Sequence, residues 1–449
     1  MKFFAVIFCV MFFFLPPVFS QSRTVEEQRF DTLRYGTETE IAALIQSLKT
    51  ENTDTMDAEL ITLADTSRNR NILTGIFSFF AERGKSGLEK RAVKALDERD
   101  DEANETVLAA IDYLGKLKAS GSIISLQKIV DGDERRFMSA AFKALGQAGS
   151  VSKEAGAEAA EFLVDYYNNH NPADDQRREI IAAIGETLSS EGQPFLTSLI
   201  KNQDERMVLR IAALEALAKI KDPEGLEAIL QAVPAADPNV RAAAVGALGP
   251  FSGEAVDNAI FEAFRDSYYK TRLAAATAAK ERKLAGAVPF LRYRAERDEV
   301  PQVKDEAIRA LGAIGNAEAL ETLNALFTER KNSDRVRIIA AEMLIQDDAG
   351  KYAPVVITEM DEAKSKNQTA LYNGLLKGLS VAKSPNVVDF ARRLFGSASV
   401  VEKSYALDLC ANNELKELAA EVRALTDEKN GGALSRKARM TLQRLGLSE

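Results

Sequence analysis

Residues 237–249 read DPNVRAAAVGALG, and residues 303–315 read VKDEAIRALGAIG. Each stretch has a basic residue near its start, Arg241 or Lys304, which we call the anchor. In both stretches apolar residues follow three, four and seven positions after the anchor, and Gly follows at the eighth. Apolar residues at this spacing form one face of an α-helix. The two stretches therefore predict the same amphipathic helix, which we call the anchor helix.

The anchor pattern recurs through most of the 449-residue chain, at intervals of 31 to 39 residues. The residue four positions after the anchor is apolar in all twelve repeats, and the residue three positions after it is Ala in eight. Self-similarity at such a period is the signature of a repeat architecture. The twelve anchors are Leu73, Val107, Met138, Arg177, Arg210, Arg241, Arg272, Lys304, Arg337, Tyr372, Lys403 and Ala438.

A second, looser helix is predicted between successive anchor helices, as in residues 223–233 (PEGLEAILQAV) and 317–327 (AEALETLNALF). Each repeat is then a helical hairpin. Neither helix of a hairpin can bury its apolar face alone, so each repeat must stack on the next. No stretch shows sustained period-two alternation, so no sheet is expected. The sequence predicts an all-α fold: a right-handed α-solenoid of about twelve stacked hairpins.

The pattern D-x-x-V-R-x-x-A-A-x-A-L-G-x-I-G, clearest in residues 237–249 and 303–315, resembles HEAT repeats of the short, Ala-rich kind found in phycobilin-lyase-type proteins. The resemblance covers residues 100–446 well and 37–99 weakly. It implies a scaffold that binds other macromolecules, with the second helices lining a concave side. No catalytic motif of a lyase can be placed on this chain, so the resemblance does not carry that activity over.

The first twenty residues predict a secretory signal. A basic start, Met1-Lys2, precedes the thirteen apolar residues 3–15, and Pro16-Pro17 follows. Thirteen residues are too few to cross a bilayer, which takes about 20, but they fit the apolar region of a signal peptide. We expect cleavage between Ser20 and Gln21, and no stable membrane insertion afterwards. The predicted organisation is a signal at 1–20, irregular helical repeats that cap the stack at 21–98, and the continuous HEAT-repeat solenoid at 99–449.

Composition excludes several classes of site. The chain has a net charge of −9, one His, two Cys and no Trp. Zinc sites of Cys and His, and disulfide frameworks, need more of those residues. Nucleic-acid binding needs clustered Lys and Arg, which an acidic exported protein does not offer. We therefore expect no catalytic residue, no metal, no cofactor and no nucleic-acid partner.

The longest interval between anchors contains Tyr166-Tyr-Asn-Asn-His170-Asn-Pro172. We interpret it as a lengthened helix followed by a solvated turn, with a sugar- or peptide-binding loop as the alternative. His170, near Asp174 and Asp175, lacks the nucleophile motif that a triad needs and is interpreted as an exposed spectator. Cys410 lies in an apolar column and is interpreted as a buried small side chain.

Acidic residues precede most of the seven basic anchors. We predict that these carboxylates cap helix starts and pair with Arg in an Asp–Arg ladder between neighbouring repeats, with an anionic ligand along the ladder as the alternative. We further expect Gly at the eighth position to end helices in the left-handed conformation. Tyr268-Tyr269 and Phe79-Phe80 are expected to be packing residues. The acidic residues of the ladder are Asp204, Asp237, Asp266, Asp298 and Asp334, and the glycines are Gly115, Gly146, Gly185, Gly249, Gly312 and Gly446.

The function predicted from the sequence is an exported, non-enzymatic scaffold in the cell envelope or periplasm that holds a protein or peptide partner on its concave surface. One alternative is a cell-wall or polysaccharide binder centred on the Tyr166–His170 loop. The other is a lyase-like enzyme that uses the concave groove. The sequence identifies neither the residues that contact the partner nor the oligomeric state.

Overall fold

A computed structural model describes residues 24–51, 53–427 and 432–448. Within these ranges the chain forms helices joined by short turns and contains no strand. The predicted signal of residues 1–20, with its cleavage site between Ser20 and Gln21, lies outside the described residues. The chain divides into two compact units, with the boundary between Val151 and Ser152. The predicted change from cap to solenoid at residue 98 stays a prediction.

The first unit consists of eight α-helices in the residues described. They are α1 (Val25–Tyr35), α2 (Glu38–Glu51), α3 (Asp57–Thr66), α4 (Arg70–Arg83), α5 (Glu89–Asp97), α6 (Asn104–Lys116), α7 (Ile123–Asp131) and α8 (Arg135–Gly149).

The second unit contains seventeen described α-helices. They are α9 (Lys153–His170), α10 (Asp174–Glu186), α11 (Gln193–Lys201), α12 (Met207–Ile220), α13 (Pro223–Ala232), α14 (Pro238–Ala247), α15 (Glu254–Ala263), α16 (Tyr269–Glu281), α17 (Val288–Arg297), α18 (Pro301–Ile314), α19 (Ala317–Thr328), α20 (Asp334–Ser365), α21 (Thr369–Ser380), α22 (Val388–Phe395), α23 (Val400–Asn413), α24 (Ala419–Arg423) and α25 (Gly432–Arg444). Short 3-10 turns lead into five of the second helices, at Ser120–Ser122, Ser190–Gly192, Ala285–Ala287, Pro385–Val387 and Lys416–Leu418.

All twelve anchors lie on helices, and each anchor helix packs against the second helix that precedes it. In the first unit α4 packs on α6 and α6 on α8; in the second, the anchor helices pack in series from α10 to α25. The all-α solenoid predicted from the sequence is therefore confirmed. Helices α1 and α2 add a further hairpin before the first anchor, since α1 contacts α3 and α2 contacts α4. Thr24 and Thr37 form capping boxes with Glu27 and Glu40 at the starts of these two helices.

The core follows the columns read from the sequence. The residue four positions after each anchor is at most 1% exposed in all twelve repeats, and all eight column alanines are 0% exposed. Small side chains at a helix crossing let the two axes approach closely, and the larger apolar residues fill the space beside the contact. The alanines are Ala110, Ala141, Ala213, Ala244, Ala275, Ala307, Ala340 and Ala406.

The expected role of the glycine column is wrong for five of its six members. Only Gly446 has a positive φ, of 70°. The others stay in ordinary backbone conformations, and three of them leave room for the next anchor helix. A Cβ on Gly185 would lie 2.7 Å from the Cα of Ala216, one on Gly115 would lie 3.1 Å from the Cα of Ala144, and one on Gly312 would lie 2.7 Å from the Sδ of Met343. Helix proximity, rather than helix termination, favours Gly at these three positions, most strongly at Gly185, where the obstructing atom belongs to the backbone.

The left-handed residue comes three positions later, eleven after the anchor. Among the eleven repeats in which this position is described, seven have a positive φ there, and only two of the seven residues are Gly. A left-handed residue costs about 1–2 kcal/mol when it carries a Cβ, so this turn is imposed by the packing of the flanking helices. The seven residues are Gly84, Lys118, Leu188, Lys221, Lys283, Gly315 and Glu414.

One turn between repeats has almost disappeared. In α20 an anchor helix and the following second helix join at Asp348, whose φ of −147° and ψ of 91° are not helical. The Oδ1 of Asp348 accepts a hydrogen bond of 2.9 Å from the Lys351 N–H. Asp348 therefore caps the second half of α20 and marks the junction between two repeats.

Candidate protein-binding surface

The Asp–Arg ladder engages two basic anchors of the second unit, Arg241 and Arg272. Arg272 donates from Nε to Asp298 Oδ2 at 2.7 Å and from Nη2 to Asp298 Oδ1 at 2.8 Å, and the Asp298 side chain is 0% exposed. Burial alone would raise the pKa of Asp298. The bonds from Arg272 and from the Val300 N–H outweigh it, so this pKa lies below its ordinary value. The remaining Arg272 donor, Nη1, binds the carbonyls of Asp266 and Ser267.

The same geometry holds one repeat earlier. Arg241 binds both carboxylate oxygens of Asp266, at 2.8 and 3.1 Å, and donates from Nη1 to the carbonyls of Ala235 and Ala236. The ladder is thus confirmed at two successive steps. Because every nitrogen of both guanidinium groups already donates to a protein oxygen, the ladder does not favour an anion site at these two steps.

Three other basic anchors bind carbonyls at the end of the preceding helix. Arg210 donates to Ile200 O at 3.2 Å, Lys304 to Glu296 O at 3.0 Å and Arg337 to Phe327 O at 2.8 Å. Asp237 caps α14 as expected, through bonds from the Asn239 and Val240 N–H groups. The capping expectation fails at the other four acidic residues. Asp266 and Asp298 accept from the N–H groups of Tyr268 and Val300, which precede α16 and α18, and neither helix has a side-chain cap. Ser333 caps α20 in place of Asp334, and α12, which follows Asp204, begins with no side-chain cap.

The Tyr166–His170 segment is helical, as the preferred interpretation predicted. It forms the last turn of the 18-residue α9, and Tyr166 and Tyr167 are 5% and 9% exposed. The His170 ring stacks on Tyr166 with centroids 4.2 Å apart, and Asp174 forms an ion pair with Arg206. Because the tyrosines are packed and the histidine is stacked on one of them, this segment offers neither a protruding sugar platform nor an assembled triad.

Two other interpretations of individual residues are confirmed. Cys410 is 0% exposed, and burial raises the pKa of its thiol to about 12, the opposite of what a reactive thiolate needs. Phe79 and Phe80 are 2% and 0% exposed and pack edge to face with centroids 5.7 Å apart.

The solvent side of the anchor helices in the second unit carries an apolar groove. It lies between α10 and α12 and has a volume of about 430 Å³. Its floor is formed by Ala182, Val208, Ile211 and Ala212, and Val208 is 40% exposed. On each helix these residues lie on the side opposite the buried columns. We call this feature the α10–α12 groove.

Charged side chains of both signs line the edges of the α10–α12 groove. Arg178 and Glu179 come from α10, and Glu215 and Lys219 from α12. Lys219 pairs with Glu186 across the two helices. Arg178 and Glu215 are exposed, and neither forms an ion pair with another described residue. An apolar floor with unpaired charges at its edge is the arrangement found at protein interfaces.

The apolar floor continues along the same side of α14 and α16. Ala242, Ala243 and Ala274 are half-buried, and Gly246 faces open space, since a Cβ there would meet nothing within 4 Å. The sequence did not single out these residues, because they fall between the buried columns where no pattern marks them. Their signal was weak: small residues at exposed helical positions, where charged ones are usual.

Two kinds of site were not found in the part of the chain that the structure describes. Over residues 24–51, 53–427 and 432–448 there is no group of three or more His, Cys, Asp or Glu side chains placed to hold a metal ion. None of the helices in those ranges has both the length and the apolar character needed to cross a bilayer.

Stacked helical hairpins with an Ala-rich anchor helix and a partial Asp–Arg ladder define the class of HEAT-repeat solenoids. The chain belongs to the Spirochaete HEAT repeat protein family, whose model matches residues 33–441. Comparison with curated proteins gave no match.

Solved structures match the chain at low sequence identity and with TM-scores below 0.5. The crystal structure of Kap121p has 12% identity and a TM-score of 0.46, and the match covers 94% of this chain and 53% of that one. Kap121p bound to Ste12p has 14% identity and a TM-score of 0.45, with the same coverage. Human deoxyhypusine hydroxylase in complex with glycerol has 19% identity and a TM-score of 0.26 over 61% of this chain and 98% of that one. The chain therefore spans about half the length of Kap121p.

Proposed function

We propose that the protein is a non-enzymatic scaffold that binds a protein partner along the solvent side of its anchor helices, centred on the α10–α12 groove. The observation that carries the proposal is the apolar floor formed by the exposed Ala182 and Val208 and the half-buried Ile211. Isolated apolar residues are normal on a protein surface, but a contiguous apolar groove with a polar edge marks an interaction site.

The chemistry of the groove favours a polypeptide over a sugar or a nucleic acid. A partner side chain of Leu, Met or Phe type would bury its surface against Val208 and Ile211, which a hydroxyl-rich sugar cannot do. Arg178 and Glu215 would select a partner with the complementary pair of charges, since charged groups at the edge of an interface set specificity and association rate. A polyanion would meet Glu179 and Glu215 at the same edge.

The proposal differs from the family resemblance in one respect. The resemblance implies a binding surface on the second helices, whereas the α10–α12 groove lies on two anchor helices. The second helices of the same unit carry a useful reference residue, because Tyr293 on α17 is apolar and 57% exposed but lies outside the groove.

Site-specific photocrosslinking tests the surface. A photoreactive phenylalanine analogue is placed at Ile211 in the groove and, in a matched control, at Tyr293, and both proteins are expressed in the native host. The proposal expects a discrete crosslinked product at position 211 that is absent at 293 and is lost when Arg178→Glu and Glu215→Lys are combined. The same products from both positions, or none at 211, would contradict it.

We also propose that the protein acts outside the cytoplasm after removal of residues 1–20. The support is the sequence alone: a basic start, thirteen apolar residues at 3–15 and Ser20 before the expected cleavage point. Mass spectrometry of the protein purified from its native host is expected to find a first residue of Gln21. A protein that retains residues 1–20 in the cytoplasmic fraction would refute the export proposal and leave the binding proposal standing.

A further inference from the structure

A polar cleft in the first unit is independent of the surface described above. It lies between the end of α3, the first turn of α4, the helix α5 and the turn that precedes α6, and its volume is about 560 Å³. Most of its lining is charged, which distinguishes it from the apolar α10–α12 groove. We call it the Arg91 cleft after the side chain buried in its wall.

Arg91 is 8% exposed and has one unused hydrogen-bond donor. Its Nε donates to Ala64 O at 3.1 Å and its Nη2 to Glu102 Oε1 at 2.6 Å, whereas its Nη1 is buried and has no partner. A buried donor on a charged group costs free energy when it is left unsatisfied, and more than a neutral donor would. Nη1 is therefore an unsatisfied donor on a side chain in the wall of the cleft.

A helix start adds to the demand for negative charge. Helix α6 begins at Asn104, and the preceding Ala103, which lines the Arg91 cleft, provides no side-chain oxygen to cap the first N–H groups. Such a helix end carries a partial positive charge and free donors. The start of α4 differs, because Asn69 already accepts bonds from two of its N–H groups.

Charged side chains at the edge of the cleft determine whether it favours a singly or a doubly charged anion. Arg68 and Arg70 are exposed on this edge, and neither is in an ion pair among the residues described. Asp65 and Asp101 line the same cleft and would repel a doubly charged phosphate more strongly than a singly charged carboxylate.

We propose that the Arg91 cleft binds a carboxylate group, which accepts from Arg91 Nη1 and is held at the edge by Arg68 and Arg70. A carboxylate matches the planar, forked donors of Arg and carries one negative charge. The carboxylate could belong to a small free acid or to the end of a peptide chain, and the experiment below separates the two sources.

Titrations of the full chain, followed through the arginine Nε–H signals of arginine-labelled protein by NMR, test the assignment. The probes are acetate, inorganic phosphate, acetyl-tetra-alanine with a free carboxylate, and the same peptide with a terminal amide. We expect saturable binding of acetate or of the free-acid peptide, with weaker binding of phosphate and none of the amide. Tighter binding of the free-acid peptide than of acetate would assign the site to a chain terminus, and equal binding would assign it to small acids; both support the carboxylate.

Variants connect the binding to the cleft. Arg68→Ala and Arg70→Ala are each expected to weaken carboxylate binding by about threefold or more, because each removes an exposed charge near the ligand. The control is Arg292→Ala, an exposed arginine of α17 in the other unit, which should leave binding unchanged. Arg91→Lys, which keeps the charge but removes Nη1, should weaken binding further if it folds. Equal binding of the amide peptide, tighter binding of phosphate, no saturable carboxylate binding, or no effect of Arg68→Ala and Arg70→Ala would each overturn the proposal.

Discussion

Replacement of Gly185 by Ala tests the close packing of the anchor helices that underlies the fold. The added Cβ would lie 2.7 Å from the Cα and 2.8 Å from the Cβ of Ala216 on α12. Carbon atoms in contact normally lie about 3.5–4.0 Å apart, so α12 would have to move away by roughly 0.8 Å. The obstructing Cα belongs to the backbone, so a side-chain rotation cannot relieve the clash. Forcing a methyl group into such a site costs about 1–3 kcal/mol.

A matched glycine lacks the clash. Gly246 is the next-to-last residue of α14, as Gly185 is of α10, and a Cβ on Gly246 would meet nothing within 4 Å. Ala is favoured over Gly in a helix by about 1 kcal/mol, and this gain applies to both positions. Gly246→Ala should therefore stabilise the protein by about 1 kcal/mol. Gly185→Ala should destabilise it by about 1 kcal/mol after the same gain is subtracted from the cost of the clash.

Urea unfolding followed by circular dichroism measures both changes, and hydrogen exchange of α10 and α12 locates them. We expect the two variants to differ by about 2 kcal/mol, with faster exchange confined to α10 and α12 in Gly185→Ala. If both variants were stabilised by the same amount, the helices would not approach as closely as described, and the explanation of the glycine column would fail.

Three further predictions concern single residues. Asp298→Ala should cost about 3–5 kcal/mol in urea unfolding, because it leaves Arg272 buried without its counter-charge. The pKa of Asp298 is lower in the folded protein than in the unfolded chain, so its stabilising contribution is full above the unfolded pKa and is lost as the pH falls through the folded pKa. The wild-type protein should therefore lose more stability in acid than Asp298→Asn. Parallel plots of stability against pH for the two proteins would contradict this. Lys118→Gly should stabilise the protein by about 0.5–1 kcal/mol and raise the midpoint of urea unfolding, because Lys118 has a φ of 55°, which Gly adopts without strain. Gly315→Ala, at the equivalent position of another repeat, should lower the midpoint for the same reason. Cys410 should resist maleimide at pH 8 until the protein is unfolded, since its pKa is raised to about 12, and rapid labelling of the native protein would show that it is accessible.

The sequence predicted the fold because one face of every anchor helix must carry apolar or small residues at fixed distances from the anchor, and these positions recur in each repeat. Burial four positions after the anchor and the Ala column at a helix crossing are properties of the pattern itself, and both are found in the structure. The glycine column misled because Gly has two uses that a sequence does not distinguish. Gly185 allows a neighbouring helix to approach, whereas Gly315 adopts a positive φ. Leu188 and Lys221 adopt a positive φ without being Gly, so composition could not have located that turn.

The candidate surface could not have been read from the sequence in the same way. Its residues are identified by what remains exposed once two helices have packed, which depends on the angle and distance between α10 and α12. Ile211 and Ala182 are unremarkable in the sequence, since apolar residues on these helices are expected to be buried. The Arg91 cleft is similar, because Arg91 and Arg68 come from different helices and turns that only the fold brings together.

The most direct test of the central claim is the affinity of the purified partner recovered by crosslinking for two variants of the scaffold. Ile211→Asp places a charge on the floor of the α10–α12 groove, and Tyr293→Asp places one on an exposed apolar side chain of α17. If the anchor helices form the binding surface, Ile211→Asp should raise the Kd about tenfold or more, and Tyr293→Asp should leave it unchanged. An unchanged Kd for Ile211→Asp, or an equal rise for both variants, would show that the partner binds elsewhere.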